Sequence, residues 1–206
     1  KGVTLNILKS DALEFIDEHF TSLLSKVEKD TSELFSLLDD NNDWAFIIKL
    51  SAYLELLLNN ALQKRLKEPG LESLVISSPL YGKNSKVQLA CDLAVITKSQ
   101  SSFIQQVVEM RNVCAHDYLS VDFQLSEYIT NMDKNQRKAW VRKLNYFEGE
   151  ATEPMGQLIR DMPKYGLIIG TLILSSTMEV AVMKGVLDKE LDVLELKASR
   201  SQLDFA

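Results

Sequence analysis

Residues 44–66 constrain this chain more than any other stretch. Phe46-Ile47-Ile48, Leu50, Tyr53-Leu54 and Leu56-Leu57-Leu58 recur at helical spacing and cover most of a helix circumference. Only Lys49, Glu55, Asn59 and Gln63 interrupt, the last three at four-residue steps. A helix apolar nearly all round belongs in the middle of a bundle or at an oligomer interface. The rest of the chain must supply helices to cover it.

Those helices are legible in outline. Asp11-x-x-Glu14 is a capping box, and apolar residues at 13, 16, 20, 23, 24 and 27 predict an amphipathic helix over 11–29. His19 lies beside that stripe and reads as an ordinary surface or core histidine. Asp30-x-x-Glu33 predicts a short second helix to Leu38, followed by an acidic turn over Asp39–Asp43. Glu68-Pro69-Gly70 ends the central helix, and 71–84 predicts a loop. Ser85-x-x-Gln88 caps a helix with Val87, Leu89-Ala90, Leu93-Ala94 and Ile96 inward. A turn at 98–101 should then fold the next helix antiparallel to it.

After Leu125 the pattern predicts one helix through 126–147, then a break at Gly149–Pro154 and a long helix from Pro163. Between Tyr165 and Met183 only Glu179 is charged, and Gly166 and Gly170 sit four apart. A membrane span needs ~20 apolar residues. Ser175-Ser176-Thr177 and the glutamate instead favour a buried bundle helix whose glycines allow close approach. A short acidic amphipathic helix is expected over 188–197. The fold class is therefore all-α: an up-and-down bundle in a single domain over 1–206. Its core spans about 11–118, and a helical extension spans about 124–197.

One stretch carries chemistry. Phe103-Ile104-Gln105-Gln106-Val107-Val108-Glu109 is helical, and its stripe through Ile104, Val107 and Val108 arrives next at Arg111. A cation stands where the pattern asks for an apolar residue. His116, one of two histidines, comes five residues later, ~140° around at ~100° per residue. The helix is therefore expected to end near Ala115, with the histidine turning into an adjoining groove.

Arg111-Asn112-x-x-x-His116-x-Tyr118 resembles the R-N-x-x-x-H motif of the HEPN superfamily, in the longer form with a tyrosine two residues beyond the histidine. The resemblance implies a HEPN-like helical fold and metal-independent RNA cleavage, with Arg111, His116 and Asn112 catalytic and no cofactor or metal. It also implies a homodimer whose two motifs share a cleft, and a nucleotidyltransferase or other antitoxin partner with Tyr118 as adenylyl acceptor or RNA contact. The chemistry suits the residues. Histidine, with a pKa of ~6.5, transfers protons near neutral pH. Arginine is permanently charged and donates paired hydrogen bonds to phosphoryl oxygens. Glu55 has two readings, an acidic partner for Arg111 or part of a solvated stripe with Asn59 and Gln63.

The block 44–116, with its Pro-Leu loop, Leu-Ala-Val-Ile helix end and Arg-x-x-x-x-His-Asp, is also similar to the mannitol operon repressor family. That similarity implies the alternative function, a non-catalytic transcriptional regulator or adaptor acting by protein contacts.

Net charge is -6, so any hold on RNA must come from local cations. Lys134, Lys138 and Arg142 fall at four-residue steps, joined by Arg137 and Lys143, opposite a ridge of Trp140, Leu144 and Phe147. This is either an RNA-binding surface or a solvated helix face. Cys91 and Cys114 form neither a ligand spacing nor a disulfide framework, and no signal-peptide series opens the chain; a cytoplasmic, reducing setting with no membrane partner is expected. Cys114 and His116 are too close along a helix end to face each other as nucleophile and base. No glycine-rich phosphate loop or metal-ligand cluster stands in the sequence. The plain alternative for the motif is a helix-terminal arginine and histidine contacting backbone carbonyls.

Overall fold

The computed structural model describes residues 2–39, 42–116, 122–147 and 153–203; the side chains of 2–16, 18–19, 69, 116, 153–154 and 190–203 lie outside that description. The described residues form nine α-helices and no strand. In chain order they are α1 (Gly2–Ser36), α2 (Asp43–Leu66), α3 (Glu72–Ser77), α4 (Lys86–Asp92) and α5 (Lys98–His116). There follow α6 (Leu125–Thr130), α7 (Lys134–Leu144), α8 (Glu153–Asp161) and α9 (Pro163–Leu203).

α2 is the central helix that its composition demands. The Asn42 side chain accepts from Ala45 N at 3.1 Å to start it, and Lys67, at φ 53°, ends it. Phe46, Ile47, Leu50, Leu54, Leu57, Leu58 and Leu62 are buried. α3, α4, α5 and α9 all pack against it. α9 closes over α1, α2 and α8, and its glycines let it approach α5 and α8 closely. A Cβ on Gly170 would stand 2.7 Å from the Phe103 ring, and one on Gly166 would stand 2.9 Å from Ile159. Glu179, the lone charge of that apolar run, pairs with Lys64 of α2 at 2.6 Å. By length and composition α2 and 163–189 of α9 are apolar enough to cross a membrane, and each has half of its most apolar window buried inside the molecule.

The element boundaries differ from the sequence pattern at several places. α1 already runs from Gly2, so the Asp11-x-x-Glu14 pattern lies inside the helix and does not open it. Asp30 does not open a second helix; α1 runs through it to Ser36. The carboxylate is drawn into a tertiary cluster instead, accepting from Lys26 Nζ at 2.7 Å and from the Ser175 hydroxyl of α9. Burial would raise this carboxyl's pKa, but hydrogen bonds from Lys26 and Ser175, with the Lys26 charge beside it, outweigh it and hold it below the usual value. The expected 71–84 loop contains α3, anchored by buried Val75. α4 stops at Asp92, because Ala94 turns left-handed (φ 55°) and Val95 N bonds back to Ala90 O at 2.8 Å. The helix expected over 126–147 is two, since Asp133 caps α7 by accepting from Asn135 N and Gln136 N at 2.7 and 2.9 Å. Finally, α9 continues without a break through 188–197. The expected turn at 39–43 and break at 149–154 fall partly outside the described residues.

Candidate functional site at the end of α5

α5 begins earlier than a turn at 98–101 would allow. Thr97 and Gln100 form a reciprocal cap: Gln100 N donates to Thr97 Oγ1 at 3.3 Å, and Thr97 N donates to Gln100 Oε1 at 2.7 Å. The helix then buries Phe103, Ile104, Val107, Met110 and Cys114. The buried stripe therefore turns through Met110 and Cys114, one residue to the side of the expected path. Arg111 is not on it; its side chain is exposed. Among the described residues its one hydrogen bond runs from Nη1 to Asn112 Oδ1, at 3.3 Å. The α5 backbone is helical through His116, one residue past the expected end, so positions 111 and 116 lie ~140° apart around one axis. The His116 side chain, and Tyr118 entirely, lie outside the described residues.

The end of α5 is pinned from α2. Trp44 Nε1 donates to the Cys114 carbonyl at 2.9 Å. Next to it Asp43 holds Leu125 N at 2.7 Å and Lys164 Nζ at 2.7 Å, joining the starts of α2, α6 and α9. Burial, with Asp43 adding to it, pushes the Cys114 thiol up to about 11, so it stays protonated near neutral pH.

Glu55 is not the partner of Arg111, nor part of a freely solvated stripe. It accepts from Lys86 Nζ, whose side chain is 0% exposed. Lys86 sits in the first turn of α4, where α4 packs on α2, and a buried ammonium there requires a carboxylate within reach. In sequence Lys86 looks like any surface lysine at a helix start, which is why the pairing was not legible.

The basic helix α7 packs on α5 through Trp140 and Leu144, both buried; Phe147 is half-buried. Lys134, Arg137, Lys138 and Arg142 are exposed, and Arg137 Nε donates to Met132 O at 3.0 Å. Lys143 is not part of the free face: it faces Glu109 of α5 at 3.7 Å and donates to Gln106 Oε1 at 3.2 Å. Between α5 and α6–α7 lies an open cleft of about 410 Å³, floored by Met132, Ala139 and Trp140. Sequence reading missed this cleft. The Asp133-x-x-Gln136 cap, which separates α6 from α7 and so shapes it, was the available signal. Among the described residues no three of His, Cys, Asp and Glu gather as a metal site. Compared with known proteins, the chain matches no family model, no curated protein and no solved structure, which leaves the helix-end motif and the cleft beside it as the grounds for a functional reading.

Proposed function

We propose that the chain is a metal-independent endoribonuclease of a toxin–antitoxin or phage-defence system. The observation that carries this reading is the state of Arg111: exposed, bonded among the described residues only to the Asn112 amide, and on the same helix end as a histidine. A guanidinium has five N–H donors, so most of this one's capacity is open to a phosphate. In the reaction the RNA 2′-oxygen attacks the adjacent phosphorus and gives its proton to a base. The P–O5′ bond breaks, and the leaving 5′-oxygen takes a proton. The products carry a 2′,3′-cyclic phosphate and a 5′-hydroxyl.

His116 transfers protons, Arg111 stabilises the charge gathering on the phosphoryl oxygens, and Asn112 orients Arg111. One histidine does not serve easily as both base and acid, so a homodimer brings a second Arg111–His116 pair to a shared cleft. The exposed cations of α7 hold the RNA backbone. Tyr118 contacts RNA or accepts an adenylyl group from a nucleotidyltransferase antitoxin, in the cytoplasm. The regulator or adaptor reading is favoured by a different observation: Leu71 and Leu74, about one turn apart at the start of α3, are both exposed apolar side chains suited to protein contacts.

Expression in cells separates the two. The intact chain should arrest growth, while His116→Ala and Arg111→Ala, at equal soluble levels, should not. Equal toxicity of all three folded proteins contradicts the nuclease.

A further inference from the structure

The cleft between α5 and α6–α7 has a use that the cleavage chemistry leaves open. Its polar wall is Gln106 and Glu109 from α5, Tyr128 and Asn131 from α6 and the turn after it, and Gln136 and Lys143 from α7. Gln106 is 5% exposed and engaged at both ends, accepting from Lys143 at 3.2 Å and donating to Tyr128 Oη at 3.4 Å. That bond makes the phenol oxygen an acceptor and leaves its hydrogen without a taker among the described residues. Burial, with the Glu109 charge nearby, holds the Tyr128 phenol above its usual pKa, so it remains a neutral donor. Gln136 uses its Oε1 in the α7 cap at 2.8 Å, which leaves its Nε2 open. The exposed Asn131 amide offers one donor group and one acceptor.

We propose that this cleft holds one unstacked base of the RNA substrate, through the Tyr128 hydroxyl and the Asn131 and Gln136 amides. The inference deepens the nuclease reading and takes the identity of the ligand from it. Charge decides the ligand class. A bare anion would meet Glu109 as well as Lys143, and a bare cation the reverse. A neutral planar edge with mixed donors and acceptors, over the apolar floor of Met132 and Ala139, meets no such conflict. Carboxamides are the side chains that pair with base edges, and single-stranded RNA is read through its splayed bases. The volume, about 410 Å³, falls within the ~300–1,000 Å³ of small-ligand sites.

Position ties the cleft to the histidine end of the motif. Position 116 is seven residues beyond Glu109, ~20° around α5 and ~10 Å along it. Arg111, two residues beyond Glu109, lies ~160° around from it, so the cleft shares its face of α5 with position 116 and not with Arg111. On α7, exposed Arg142 is ~60° around from Ala139, at the cleft's edge, where the RNA backbone would leave.

Isothermal titration of the intact protein with the four ribonucleoside 5′-monophosphates tests this, with ribose 5-phosphate and inorganic phosphate as controls that lack a base. At least one nucleotide should bind about tenfold or more tightly than either control, since Arg111 can take a bare phosphate but the cleft cannot. Tyr128→Phe and Asn131→Ala should each weaken that nucleotide about tenfold, as for one lost hydrogen bond. Asn131→Ala should leave the melting temperature in place, while Tyr128→Phe should lower it slightly because the Gln106 amide loses its acceptor. Equal binding of either control would make this an anion site and overturn the proposal. Silence from all four nucleotides at ~10 mM would do the same. The two readings fail separately. Nucleotide binding in a protein that never cuts RNA keeps the cleft and removes the nuclease. Cleavage whose base preference is unchanged by Tyr128→Phe and Asn131→Ala keeps the nuclease and removes the base site.

Discussion

Lys86 and Arg111 are cations on two helices that pack against the same apolar α2, and the fold treats them in opposite ways. Lys86 is sealed at 0% side-chain exposure and answered by Glu55. Arg111 is exposed and hydrogen-bonds, among the described residues, only to the Asn112 amide. From sequence the roles looked reversed: Arg111 stood on the apolar stripe, with Glu55 as its possible partner. A cation buried with its counter-charge belongs to the fold and is unavailable to a ligand. A cation left outside with spare donors costs the fold nothing to keep, and its use lies elsewhere.

The largest expected effect is on the exposed side of that contrast. Arg111→Ala should lower RNA cleavage by ~10²–10³ while the melting temperature holds, since a donor to developing phosphoryl charge is lost and no packing is. A melting temperature that falls with the activity would place Arg111 in the fold beside Lys86. On the buried side, Glu55→Ala should cost ~3 kcal/mol in urea unfolding, because it strands an ammonium in the core. Lys86→Met removes the charge along with the need for a partner, and should lie within ~1 kcal/mol of the parent. If both substitutions cost the same, the asymmetry argued for the pair is wrong.

Asp30 sharpens the rule with a second buried charge. Its folded pKa lies below the unfolded value of ~3.9, so its contribution is fully present above that value and is lost as pH falls through the folded one. Asp30→Asn should cost ~2 kcal/mol at pH 7 and less at pH 3, below the unfolded value. Equal losses at the two pH values would mean that the ionised carboxylate is not what binds Lys26 and Ser175. The smallest effect belongs to the exposed α7 face. Replacing Lys134, Lys138 and Arg142 with glutamine should flatten the dependence of log RNA affinity on log salt by about two units, at ~0.7 per phosphate. Lys143, already facing Glu109, should contribute little to that slope. An unchanged slope would make the face a solvated surface only.

The comparison also marks what was legible. Helix periodicity reports which residues face inward when an element is long and one face dominates. The central position of α2 and the close approach at Gly170 followed directly from it. It cannot report a partner supplied by a distant segment. Asp30 looks like a helix start until Ser175, 145 residues away, is brought against it. Lys86 looks exposed until α4 docks on α2. The end of α4 depends on Ala94 adopting a left-handed turn, for which alanine gives no signal. Two other boundaries were within reach, since Thr97-x-x-Gln100 and Asp133-x-x-Gln136 are capping boxes that stand in the sequence. At the site, Arg111 was placed on the wrong stripe because Val107-Val108 allows two continuations, and only burial of Met110 and Cys114 chooses between them.

The account rests on the helix end at 111–116 being a cutting site, and purified protein tests it most directly. End-labelled single-stranded RNA is incubated in EDTA with the parent chain and with His116→Ala. The parent should cut and leave 2′,3′-cyclic phosphate ends, and the variant, equally folded, should cut ~10²–10⁴ times more slowly. Equal cutting by both, or no cutting by the parent, would contradict the account.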